Sequence, residues 1–155
     1  MNDDDFTPEE ILAAHHRATS AWVDNNVGRD PAVDPEQLMA NPVNPRIHPR
    51  RQEKAMYAIL ERHGWVRDVI VNRRTGRIVD GHMRVLIAIT HNKTVPVTYI
   101  DVSEQVETEI IAVLDQVARL AIVDSDMFEE VRDAAADWAP DIEKMFEEIN
   151  PVKLN

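Results

Sequence analysis

The 155-residue sequence predicts an α+β fold, a small sheet packed with helices. Between residues 51 and 102 the apolar positions pass from helical spacing to strand alternation and then do so a second time, the pattern of a helix–hairpin–helix–strand core. The 44% hydrophobic share is enough to bury such a core. There is no cysteine, which excludes disulfide scaffolds, thiolate metal sites and thiol catalysis together.

The elements follow in order. Thr7-Pro8-Glu9-Glu10 reads as a helix start, with Thr7 as cap, Pro8 at the first helical position and Glu10 three after the cap; this helix is expected to run to about Asn25. Its adjacent His15 and His16 cannot share one face, so they read as a solvated pair rather than as metal ligands. Gly28, Pro31, Pro35, Pro42, Pro45 and Pro49 mark residues 28–50 as a linker, with one short extended piece around Arg46-Ile47. Helical period returns over Arg51–His63 (Ala55, Met56, Ile59, Leu60), and Gly64 ends it. Val66–Val71 and Arg77–Asp80 flank turn chemistry at residues 72–76 and make a hairpin. Gly81 breaks the second strand, residues 82–92 are helical, and Val95–Val102 is a strand. Ser103 caps a long helix with Val106, Ile110, Val113, Leu114, Val117 and Leu120 on its apolar side. Two short helices close the chain, one from Asp124-Ser125-Asp126 to near Trp138 and one from Pro140. The expected organisation is an N-terminal helix and linker over 1–35, a core over 36–123 and acidic C-terminal helices over 124–155. Trp22, Trp65 and Trp138 are expected in cores rather than as base-stacking platforms.

Charge is partitioned. The net charge is −11, yet residues 46–93 hold eleven Lys/Arg against four acids, while residues 1–45 and 94–155 are both strongly acidic. A basic centre between acidic arms suits a phosphate-bearing ligand, with the arms solubilising the chain, shielding the site or engaging a protein partner. No apolar run approaches the roughly 18 residues needed to cross a bilayer. The start Met1-Asn2-Asp3-Asp4-Asp5 is acidic where a secretory leader is basic, so no membrane and a cytoplasmic setting are expected.

Ile78-Val79-Asp80-Gly81-His82-Met83-Arg84 concentrates the chemistry: a strand passes through glycine into a helix start. Free N–H groups and the positive dipole end gather there, and glycine lets a phosphate approach the backbone. His82 and Arg84 stand in the first turn, where Arg can fork onto phosphate oxygens and His can donate a hydrogen bond or act as acid or base. A merely structural strand–Gly–helix turn is the competing reading.

These residues carry a resemblance. Asn44-Pro45-Arg46, His63-Gly64-Trp65, Val69-Ile70-Val71-Asn72, Thr75-Gly76-Arg77 running on to Arg84, and Val95-Pro96-Val97 resemble, in that order, the ParB/sulfiredoxin-like nuclease domain over roughly residues 36–123. The resemblance implies a small mixed sheet and convergence of the Asn-Pro segment and the glycine turn on a nucleotide triphosphate or on nucleic-acid phosphate, with CTP or ATP and Mg²⁺ as cofactor. Partitioning members carry Gly-Glu-Arg-Arg at the turn and sulfiredoxin Gly-Cys-His-Arg; here Gly81 and Arg84 match while His82 and Met83 differ. The Gly-His-x-Arg form is similar to short phage and mobile-element members associated with DNA methyltransferases, and to an archaeal serine kinase on this fold. No basic recognition helix appears over 124–149, so DNA would be met through phosphates.

The roles implied are His82 as phosphate ligand or general acid/base, against a helix-cap role. Arg84 is a phosphate clamp, against a salt bridge to Asp80 or Glu53. Asp80 orients His82 or holds Mg²⁺ through water, against capping the turn. Asn44 and Arg46 join the phosphate site with Gly81, against ordinary turn chemistry. Arg50, Arg51 and Lys54, with Arg73 and Arg74, supply nucleic-acid contacts, and Glu53 or Asp68 is a guess for a metal ligand. The resulting reading is a nucleotide- or DNA-phosphate-binding domain acting as a nuclease or nucleotide hydrolase. The alternatives are a nucleotide-gated interaction module without catalysis, contacting a protein partner through its acidic helices or pairing as a homodimer, and a small-molecule kinase.

Overall fold

The computed structural model describes residues 22–134 and 138–148. Most of the expected N-terminal helix thus lies outside the described residues. Its expected last turn, residues 22–25, is not helical.

Four strands form one mixed sheet in the order β1-β4-β2-β3: β1 is Asn26–Val33, β2 Val69–Asn72, β3 Ile78–Asp80 and β4 Val95–Ile100. Helices α1 (Arg50–His63), α2 (His82–Thr90), α3 (Glu104–Arg119), α4 (Ser125–Ala134) and α5 (Pro140–Glu147) accompany it. The architecture is the α+β class expected. β2 and β3 are the antiparallel hairpin read from the turn residues, and α2 carries the chain over to β4, which lies parallel to β2 with Val69 opposite Val97 and Val71 opposite Tyr99.

β1 corrects the linker reading of residues 28–50. It pairs antiparallel with β4, Arg29 opposite Thr98 and Asp30 opposite Val97, with irregularities on either side of that stretch. The segment escaped notice because seven of its eight residues are exposed and it contains Gly28 and Pro31. An edge strand tolerates both, since an outward-facing N–H is not needed in the ladder. Arg46-Ile47, by contrast, is not in a strand. A 3-10 turn at Pro35–Gln37, capped by the Asp34 side chain, follows β1.

Alternation along the strands divides the core. Val33, Val69, Val71, Ile78, Val95 and Val97 pack with Val85 and Ala88 of α2, joined by Leu38, Trp65 and Tyr99. Val79, Ile100 and Val102 pack with Ile111 of α3. Of the apolar side read for α3, Ile110 packs partly on the core, while Val106, Val113, Leu114, Val117 and Leu120 are exposed; the buried residue is its neighbour Ile111. Among the tryptophans, Trp65 is partly buried against the core, whereas Trp22 is 90% exposed, correcting its core assignment. Trp138 meets Phe146 edge-on at 5.1 Å.

Candidate functional site

Gly81 sets the site. It N-caps α2 with φ 101°, a left-handed conformation that favours glycine, and an added Cβ would lie 3.1 Å from Arg84 Nη2 and 3.2 Å from Val69 Cγ2. The strand therefore ends at Asp80 and turns straight into α2. The Val85 N–H closes the first turn on the Gly81 carbonyl at 3.0 Å, leaving the earlier N–H groups of the helix without intrahelical acceptors.

Three guanidinium groups surround Asp80. Arg46 Nη1 lies 3.3 Å from Oδ1, Arg84 Nη2 2.8 Å from Oδ2 and Arg67 Nη2 3.5 Å from Oδ2. Arg84 also donates to the Arg67 carbonyl, and Arg46 pairs with Asp115 of α3. Burial lowers the pKa of Arg84, with Asp80 pulling the other way, and an arginine in such a place remains a cation. Arg46, Arg84 and Asp80 are largely buried, but Arg67 is 69% exposed. Each guanidinium has five N–H donors, so donors remain beyond those the carboxylates take.

His82 is anchored to the loop before α1 through one ring nitrogen. Its Nε2 accepts the Asn41 N–H at 3.1 Å. Burial, and then the nearby Arg46 cation, push its pKa below the ordinary 6.5, so the ring is neutral with its proton on Nδ1. That Nδ1 is buried and has no acceptor among the described residues.

Asn41 links the site to a second polar cluster. Its amide donates to Glu107 Oε1 at 2.7 Å and its Oδ1 accepts from the Val43 N–H. Glu107, 1% exposed on α3, also accepts from Asn72 (2.6 Å) and Thr75 (2.6 Å), with Arg77 at 3.8 Å. A buried carboxylate persists when hydrogen bonds replace its hydration, and here they come from the Asn41 loop and the hairpin turn.

One cavity of about 440 Å³ is lined by Arg46, His48, Gln52 and Met56 together with Arg67, Asp80, Gly81, His82, Arg84 and Asp115. The structure thus brings together Arg46, Asp80, Gly81, His82 and Arg84. Asn44 does not line the cavity; it shapes the loop by accepting the Arg46 N–H at 3.2 Å. Arg50, Arg51, Lys54, Arg73 and Arg74 lie outside it. Arg73 sits over the Tyr99 ring at 5.9 Å, Arg74 pairs with Asp101, and Arg51 reaches Glu148 of the C-terminal segment at 3.0 Å. Asp68 is bonded to Arg29 (2.6 Å) and Thr98 (2.7 Å), which hold its carboxyl below the usual range. Sequence reading missed Arg67, Asp115, Asn41 and Glu107. The chain carries Asn-Pro pairs at 41–42, 44–45 and 150–151, and the first of them supplies the buried asparagine.

A divalent cation fits this donor set poorly, because both Asp80 oxygens face guanidinium groups and the field favours anions. Among the described residues no group of three or more His, Asp or Glu side chains converges as metal ligands.

No family model and no curated protein matches the chain. Among solved structures it is similar to the C-terminally truncated chromosome-partitioning protein ParB from Caulobacter crescentus complexed with CTP-γ-S, at 22% identity and TM-score 0.50, over 57% of this chain and 53% of that one. A Pnob8-like ParB-N domain is also similar, at 18% identity and TM-score 0.42, over 57% of this chain and 36% of that one. The chain spans about half the length of the Caulobacter protein it matches. The fold is ParB-like.

Proposed function

We propose that the cavity at the Gly81 turn binds the phosphates of a nucleoside triphosphate, CTP or ATP. The observation that carries this reading is the convergence of Arg46, Arg67 and Arg84 on Asp80, one residue before the Gly81 cap of α2, with all of these residues lining one cavity. The His82 Nδ1–H, buried without an acceptor, adds a donor that a phosphate oxygen would satisfy. The solved ParB structure with CTP-γ-S supports a nucleotide as ligand on this fold. Asp80 then acts as the resident counter-anion that keeps the arginines aligned. Mg²⁺ would enter on the nucleotide's own oxygens rather than on a protein carboxylate. Arg50, Arg51, Lys54, Arg73 and Arg74 are assigned to contacts with nucleic-acid phosphates outside the cavity.

The bond from Asn41 to His82 Nε2 favours the non-catalytic version of this reading, a nucleotide-binding module, over a nuclease or nucleotide hydrolase. A ring whose Nε2 is taken by a backbone N–H cannot take a proton there without losing that bond.

Calorimetric titration with CTP, ATP, GTP and a short DNA duplex, each with Mg²⁺, tests the proposal. One nucleotide should bind at tens of micromolar or tighter, about −6 kcal/mol or better, and Arg67→Ala should weaken it by about tenfold, in line with the loss of a charge-assisted hydrogen bond. Arg67 is the informative position because its exposed side chain can be removed without unpacking the turn, unlike that of Arg84. Absence of binding by every nucleotide overturns the reading. Phosphate release on incubation with the bound nucleotide separates hydrolase from module.

A further inference from the structure

α1 has two working faces. Gln52 and Met56 line the cavity, while Arg51, Lys54, Ala58 and Arg62 stand at the spacing that places them together elsewhere on the helix. That second face is covered by the chain's own C-terminal segment. Ile142 of α5 is 1% exposed, Trp138 lies under the Arg62 guanidinium at 5.5 Å, Arg51 pairs with Glu148 at 3.0 Å, and Lys54 and Asp141 border one crevice. Residues 138–148 contain four acids and one lysine.

The charges do not explain why the segment is held. Arg51 and Glu148 are 69% and 46% exposed, and pairs open to solvent in this way contribute little to stability. Docking rests on the buried Ile142 and on Trp138 beneath Arg62, with Phe146 bracing Trp138 from within the segment. What the carboxylates do is place negative charge on a basic helix face. Arg50 and Arg51 moreover stand with Glu53 in the first turn of α1, and Lys54 just beyond it, where the helix dipole disfavours cations and favours an anion.

We infer that α5 is an intramolecular competitor: its carboxylates occupy the α1 surface that otherwise takes the phosphates of a DNA backbone, so that DNA binding requires α5 to leave. The inference rests on the assignment of Arg50, Arg51 and Lys54 to nucleic-acid contacts and is independent of the nucleotide cavity.

The test measures affinity for a short DNA duplex against salt for the full chain and for Ile142→Asn, which removes the apolar anchor without changing charge. Hydrogen exchange reports whether α5 is released. With α5 released, DNA affinity should rise at least tenfold at low salt. The slope of log affinity against log salt should steepen by about 2 to 3, the release expected for two or three freed cations. Adding Arg51→Gln and Lys54→Gln should cancel the gain. Asp141→Asn with Glu148→Gln, which leaves the anchor in place, should give a smaller rise of the same sign. Unchanged affinity and slope with α5 released overturns the inference, as does a gain that survives Arg51→Gln and Lys54→Gln. If Ile142→Asn does not fold, the Asp141→Asn, Glu148→Gln protein decides, and unchanged DNA affinity there overturns it. CTP and ATP titrations of the same proteins keep the two readings apart: nucleotide binding without any DNA gain sinks only the competitor, and a DNA gain without nucleotide binding sinks only the cavity.

Discussion

The residues of the turn differ in what they can lose. Gly81 has a left-handed backbone and close neighbours in Arg84 and Val69. Gly81→Ala is therefore expected to cost about 1–3 kcal/mol from backbone strain alone, read as a lower melting temperature. Arg84 and Arg67 are chemically identical, yet one ties the Arg67 carbonyl to Asp80 inside the protein and the other extends into solvent. Arg84→Ala should lower stability and ligand affinity together, whereas Arg67→Ala should lower affinity alone. His82 yields a pH prediction with a definite sign. Its folded pKa lies below the unfolded value, so the unfolded chain binds the extra proton first. The stability held by neutral His82 is complete above about pH 6.5 and is lost as pH falls through the lower, folded value. Thermal unfolding between pH 7.5 and 5 should show that loss in the wild type and a smaller one in His82→Gln.

At the level of elements, α3 acts as a clamp. Through Glu107 it binds the Asn41 loop, the end of β2 and the hairpin turn at once. Glu107→Ala leaves the Asn41, Asn72 and Thr75 donors buried without their acceptor. About 3 kcal/mol or more is the expected cost, with Glu107→Gln losing less, by urea unfolding. The hairpin, α1, α2 and the Ser103 cap were all legible in the sequence because local periodicity and turn residues dictate them, and so was the Gly81 turn with Asp80, His82 and Arg84. β1 was not legible, since an edge strand that buries only Val33 has no apolar alternation to reveal it. Glu107 was hidden for a related reason. On a helical wheel it is one more acid of an acidic helix, and only the distant loops that converge on it make it a buried one. Asn41 and Arg67 depend likewise on contacts far along the chain.

For the whole molecule, segregated charge predicts salt responses of unequal size from its parts. A small triphosphate held by the largely buried Arg46 and Arg84 should lose less affinity with salt than a duplex bound by exposed Arg50, Arg51, Arg73 and Arg74. The apolar stripe of α3 remains open, with Val113, Leu114, Val117 and Leu120 all exposed. A homodimer through that stripe would make Val117→Asp shift sedimentation from dimer to monomer. At one end of the strand order, β1 carries Pro31, an irregular register and exposed polar side chains. Such an edge is a poor template for another chain's backbone. Pro31→Val would restore the missing donor and the flatter ribbon, and light scattering of concentrated solutions should then rise where the parent protein stays clear.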